Sequence, residues 1–262
     1  MVDVNAALDR AGLRNVHVRD YVRYWAELTG AERVEVVSAS DDARLIGEAL
    51  AAGEILPAGE GLYYSRSYVK DTARSEERTI VATSDPADQG VYNNWRPAAE
   101  MRPLLEELMR GASAGQTMYV VPYLMAPAGS PLERYAAGVE LTDSRTVALH
   151  MIRMARVGVR YIDNLADPSS FVRAVHVTGD LEKLGQGTPG DQRYFVTIAD
   201  ERTILHISIH PKARPPTGSR QRAIWLRPSL PWVSRSAEFP TLKAVASPRI
   251  HQPPTGMLPH SH

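Results

Sequence analysis

Ten of the 19 prolines in this 262-residue chain fall in its last 56 positions, between Pro211 and Pro259. Proline fixes φ and carries no backbone N–H, so this density stops helices and keeps strands out of a sheet interior. The fold has to be built before that point. The charge divides at the same place. Residues 207–262 hold eight Lys/Arg and one acid, Glu238, so a segment of about +7 follows a body of about −7, and the net charge of zero conceals both. The expectation is a folded domain over 1–206 and an irregular Pro/Arg-rich tail over 207–262, disordered despite Trp225 and Trp232.

The body alternates helical and strand-like segments. Val18, Tyr21, Val22, Trp25 and Leu28 share one face of a helix capped by Asn15. VEVVSA (34–39) reads as a strand, followed by a helix capped by Ser40 and closed by Gly53. RTIVAT (78–83) reads as a strand. Pro97 opens a helix with Met101, Leu104, Leu105, Leu108 and Met109 on its inner face. A strand over 117–123 runs into the proline- and glycine-rich stretch MAPAGSPL, and AAGVEL (136–141) makes the next strand. Thr142, Asp143 and Ser144 offer a cap for a helix closing at Gly158. FVRAVHV (171–177) fits strand or helix, and 193–207 a hairpin turning at Ala199–Asp200–Glu201. Strands interleaved with helices make this an α/β domain with a mixed sheet.

Composition excludes several classes. There is no cysteine, so neither disulfides nor thiolate metal sites can form. No apolar run approaches the ~18–20 residues of a membrane span, and the N-terminus has no basic-then-apolar leader. A cytoplasmic protein without membrane contact is expected. The tail's scattered charges do not form a nucleic-acid patch.

LGQGTPG (184–190) spaces its glycines like a dinucleotide fingerprint, but a strand follows where the fingerprint needs a helix, so it reads as a loop. His206 and His210 on a strand would stand about 13 Å apart, too far to share a metal. His150 and His176 lie in apolar stretches and read as core or edge residues. No G-x-x-x-x-G-K-[ST] occurs anywhere. YVKDTARSEERTI (68–80) interleaves Lys70, Arg74 and Arg78 with Asp71, Glu76 and Glu77. It is either a self-neutralising surface loop or an anion clamp, since an arginine fork holds a carboxylate or phosphate by two bonds.

Five segments in order decide between these: KDTARSEERTIV (70–81), YNNWRPAAEM (92–101), TMYVVPYLMAPAGSPL (117–132), GVELTDSRTVALHMIRMARVG (138–158) and FVRAVHVTGD (171–180). Over roughly residues 20–206 the chain resembles the N-terminal domain of GTP-dependent phosphoenolpyruvate carboxykinase. Members of that family convert oxaloacetate and GTP to phosphoenolpyruvate, carbon dioxide and GDP, serving gluconeogenesis. The resemblance implies that Arg74, the arginine of the family's D-V-A-R segment, contacts an anionic substrate, phosphoenolpyruvate or oxaloacetate. Thr72 replaces the valine of that segment, and Ala126 the glycine of the family's M-G-P.

Past His206 the pattern stops. The family continues into a glycine-rich S-x-G-S-G-Y-G-G-N segment, a Lys–His–Asp manganese site and a P-loop, whereas this sequence reads RTILHISIHPKARPPTGSRQ. The change reads as a shift of reading frame. The family's Mn2+ or Mg2+ and GTP therefore have no expected sites in this chain, and no catalytic residue is assigned. The resemblance implies a crippled carboxykinase fragment. The alternatives are a substrate-binding or regulatory module and one half of a split enzyme with a separately encoded nucleotide-binding partner.

Overall fold

Asn15 opens the first long helix through its own side chain. In the computed structural model, which describes residues 3–66, 76–89, 94–178 and 193–207 and the backbone of 221–222, 224–225 and 235–236, Asn15 Oδ1 accepts from the N–H groups of His17 and Val18 at 3.1 and 3.3 Å. A short helix α1 (Val4–Arg10) precedes it, and α2 (Val16–Thr29) buries Val18, Tyr21, Val22, Trp25 and Ala26. Gly30 ends α2 at φ 68°, a left-handed position that glycine takes without a Cβ penalty.

The next helix starts differently from its sequence signature. Strand β1 (Arg33–Val36) ends, and a short 3-10 turn (Ala39–Asp41) leads into α3 (Asp42–Ala51). Ser38, not Ser40, opens that turn, because its N–H and Oγ both donate to Asp41 Oδ2 at 2.8 Å and lock the entry. A hairpin of β2 (Leu56–Gly59) and β3 (Leu62–Arg66) follows, then β4 (Thr79–Thr83) and β5 (Asn94–Pro97). Pro97 caps α4 (Ala98–Met109), which carries Pro103 inside it and buries Met101, Leu105 and Met109 while Leu104 stays exposed.

The remaining elements complete the sheet. They are β6 (Thr117–Leu124), α5 (Glu133–Ala136), β7 (Ala137–Thr142), α6 (Arg145–Met154), β8 (Arg156–Val157), α7 (Arg160–Asp163), β9 (Val172–Val177), β10 (Tyr194–Ile198) and β11 (Thr203–Ile207). Helix α6 stops at Met154, short of Gly158, because 156–157 pair with Leu124 and Tyr123, and Gly158 N–H reaches Pro122 O at 2.9 Å. A ladder gave those backbone groups partners that one more helical turn would have forfeited. The ambiguous 171–177 is strand, held between β7 and β11. In the tail, β12 (Gln221–Arg222) pairs with β3, and β13 (Ile224–Trp225) pairs with β14 (Arg235–Ser236).

Among the described residues the large sheet has nine strands, in the order β1-β6-β7-β9-β11-β10-β4-β5, with β8 beside β6. It is mixed: β6/β7 and β10/β11 are antiparallel, while β7/β9, β11/β9, β10/β4 and β4/β5 are parallel. One face is covered along its length. Val139, Leu141, Val175, Leu205, Val196 and Ile80 pack there with the apolar stripes of α1, α2 and α4. The other face is covered over β6, where Tyr119, Val121 and Tyr123 meet Leu45 and Ile46 of α3 and Leu149 of α6. Tyr123 lies across Gly138, where an added Cβ would stand 2.5 Å from its Cζ, so any other residue there would have to displace the buried ring. Beyond β7, Glu140, Ile204, Thr197 and Val81 are half-buried and Phe195 is 40% exposed.

Candidate functional site

Strand direction gathers several chain ends at one edge of this sheet. β4, β5 and β10 begin there, and β7, β9 and β11 end there. The register makes it a single row: Thr142 opposite His176, His176 opposite His206, His206 opposite Phe195, and Phe195 opposite Thr79. Arg74 lies outside the described residues, as do Lys70, LGQGTPG and His210. Arg74 is five positions before Thr79, and five residues of chain span at most about 17 Å. We call this edge the near end.

Around the ends of β7 and β9 the near end is polar and buried. Thr142 Oγ1 and His176 Nδ1 are 2.8 Å apart, and Thr142 Oγ1 also accepts the Ser144 N–H at 3.0 Å. The His176 ring stands 4.9 Å from that of His206, which stands 5.1 Å from Phe195. Asp143, 4% exposed, takes the Thr178 N–H on both oxygens at 2.9 and 3.1 Å and the Ser113 hydroxyl at 3.2 Å. This joins the turn after β7 to the end of β9. Of the three residues offered as a cap, Ser144 performs it, accepting from Val147 N–H. Asp143 instead ties two strands, and nothing local in T-D-S signals that.

Two cations belong to the same edge. Arg78 donates to the Tyr194 hydroxyl at 2.9 Å and stacks on its ring at 5.2 Å, so one of the three clamp cations is placed at the start of β4. Arg193 is buried just before β10. On the open part of the second face, Glu140 sits between Val121 and Ala174 in the register. Burial pushes its carboxyl up from 4.5 to about 8, so at neutral pH it is largely protonated. Arg78 and Arg193 thus stand at the edge where β4 and β10 begin, and Glu140 lies on the adjoining face. Of the four expected histidines, His176 is buried, His150 and His206 are half-buried, and among the described residues no three His, Asp or Glu side chains are grouped to hold a metal.

The stiff stretch 125–132 is at the far end, where β6 leaves the sheet. Gly129 turns at φ 77°, its N–H donating to Glu133 Oε1 at 2.6 Å, and Ala126 O accepts Arg156 Nη1 at 2.7 Å. It is a corner whose backbone groups are held by the side chains of Glu133 and Arg156.

A family model of the phosphoenolpyruvate carboxykinase N-terminal domain matches residues 20–210. The chain belongs to this family. It is 34% identical over 208 residues to "Phosphoenolpyruvate carboxykinase [GTP]" of Renibacterium salmoninarum, an alignment covering 75% of this chain and 34% of that one. The protein of the same name from Neocallimastix frontalis is 38% identical over 152 residues, covering 55% and 24% of the two chains. That of Anaeromyxobacter dehalogenans (strain 2CP-C) is 36% identical over 199 residues, covering 74% and 32%. The matched part of this carboxykinase-family chain thus spans a quarter to a third of the length of these relatives. Its mixed α/β sheet is consistent with the family's N-terminal domain, and the match begins within α2 and reaches just past β11.

Proposed function

We propose that this chain is the substrate-holding part of a GTP-dependent phosphoenolpyruvate carboxykinase, with Arg74 gripping the anionic oxygens of phosphoenolpyruvate or oxaloacetate. The observation that carries this reading is the register row, which brings the start of β4, five residues after Arg74, beside the ends of β9 and β11. Arginine suits the task because its planar fork bonds a carboxylate or phosphate at two points and stays charged at every physiological pH.

The chain does not complete the reaction by itself. Phosphoryl transfer requires charge neutralisation on the moving group, supplied in nucleotide-dependent enzymes by metal and a lysine in a phosphate cradle. Decarboxylation of a 2-oxo diacid requires an electrophile on the developing enolate. The 262 residues contain no G-x-x-x-x-G-K-[ST] motif, and the described residues do not fit a metal. In this reading the nucleotide and divalent cation are held by a separate nucleotide-binding half, and the setting is cytoplasmic. The chain beyond the family match, which ends at residue 210, departs from the family's pattern through a shift of reading frame. Reading the nucleotide sequence past codon 206 in the other frames tests that point, since one of them should encode the glycine-rich segment.

Calorimetric titration with phosphoenolpyruvate tests the main claim. Heat of binding from the parent and none from Arg74→Ala is expected. Equal heats from both would remove Arg74 from the site, and no heat from either would leave a fragment without a substrate site. GTP-dependent phosphoenolpyruvate formation by the purified chain alone would overturn its incompleteness.

A further inference from the structure

The far end of the sheet carries a second collection of arginines. Arg102 of α4, Arg173 of β9 and Arg202, which joins the 3-10 turn Ala199–Glu201 to β11, line a cleft of about 490 Å³. They are 71 and 29 positions apart in sequence, as 102, 173 and 202 show, and the β9–β11 register brings the last two together. Arg102 is neutralised by Glu106 at 2.9 Å and by Glu201. The other two differ. Arg173 donates to Phe171 O at 3.2 Å and Ser169 O at 3.1 Å and lies 4.2 Å over the Phe171 ring. Arg202 donates to Ser170 Oγ at 2.7 Å and Arg134 O at 3.2 Å. Among the described residues neither has a carboxylate within salt-bridge distance.

A guanidinium has five N–H donors, so each keeps donors beyond those engaged. Desolvation holds the Arg173 pKa below its ordinary value; the Arg102 and Arg202 charges add to this, while Tyr21 and Glu201 oppose it. An anion between these groups would remove that repulsion. The backbone gives an independent sign: Arg202 is the one described non-glycine residue at positive φ, 50°. Glycine would sit there without strain, whereas a side chain costs about 1 kcal/mol, so an arginine at this place points to use of its guanidinium.

The rim sets the ligand's body. Asp167 caps Ser169 through bonds of 3.0 and 2.7 Å, and Asp200 accepts Ser84 N–H at 2.6 Å. These carboxylates repel a second anionic group and accept hydrogen bonds from hydroxyls. We propose that this cleft binds a small hydroxylated phosphomonoester, its phosphate between Arg173 and Arg202 and its hydroxyls toward Asp167 and Asp200. The volume suits a molecule of a few carbons, within the ordinary range of ligand clefts.

Thermal melting of the full chain with glycerol 3-phosphate, against glycerol with sodium chloride at matched ionic strength, tests this. The phosphomonoester is expected to raise the melting temperature and the control to leave it. Arg173→Gln and Arg202→Gly are each expected to weaken the effect at least tenfold. Arg202→Gly should do so while its ligand-free melting temperature stays within about 3 °C of the parent, because glycine relieves the positive φ. Arg74→Ala should keep the full effect. No stabilisation beyond the control, stabilisation retained in both cleft variants, or its loss in Arg74→Ala would each overturn the proposal. The last result would place the anion at the near end.

Discussion

At the near end of the large sheet, buried polar side chains bond one another: Thr142 to His176, and Asp143 to Ser113 and the backbone of Thr178. At the far end, where β10 turns into β11, half-exposed guanidiniums bond carbonyls and surface carboxylates. The same strands run through both. A sheet whose strands alternate in direction delivers different connections to its two ends, and here the near end receives the segments that precede β4 and β5 and follow β9 and β11. Buried networks gain strength in a low-dielectric setting and punish any missing partner, whereas exposed ion pairs contribute little. The near-end network is thus costly to break, and the far-end pairs are not.

Asp143→Ala should show the largest effect, a loss of about 3 kcal/mol in urea unfolding, since it strands a buried N–H and a buried hydroxyl. A loss below about 1 kcal/mol would break the contrast between the two ends. Glu140, midway between them, should make stability depend on pH. Its folded carboxyl holds a proton up to about pH 8 while the unfolded one releases it near 4.5. The unfolded state then binds fewer protons over that window, so stability falls as pH rises through it. Glu140→Gln should flatten that slope and be the more stable protein above pH 8, by about 2 kcal/mol after allowance for partial exposure. Parallel pH curves for the two proteins would count against it. Tyr194→Phe removes the bond from Arg78 and should cost about 1 kcal/mol. Glu201→Ala, which breaks an exposed pair with Arg102, should cost about 0.5 kcal/mol, and less in high salt. A cost above that of Tyr194→Phe would reverse the ranking.

Much of the fold is legible because its signals are local. The Asn15 cap, the α2 stripe and the 193–207 hairpin rest on residues close in sequence, and the structure keeps them. What sequence reasoning misses depends on partners far away. Gly158 reads as a helix end, but pairing with β6 claims 156–157 first. Leu104 fits the helical stripe, yet α4 turns it to solvent. His206 invites comparison with His210, its neighbour in sequence, while its neighbour in space is His176, thirty positions earlier. Ser38 and Ser40 compete for one cap, and only the Asp41 carboxylate decides between them. Of the candidate site, the segment holding Arg74 is legible through resemblance, because a mixed-charge loop alone reads equally as solvated surface. The Arg173–Arg202 cleft carries no sequence signal, since it exists only through the register of two strands.

Hydrogen exchange by mass spectrometry, with and without saturating phosphoenolpyruvate, asks directly whether the near end is the substrate end. Slower exchange is expected in peptides spanning 76–81 and 194–197, no change over 199–204, and loss of the protection in Arg74→Ala. Protection over 199–204 with none over 76–81 would contradict the assignment and move the substrate to the opposite end of the sheet.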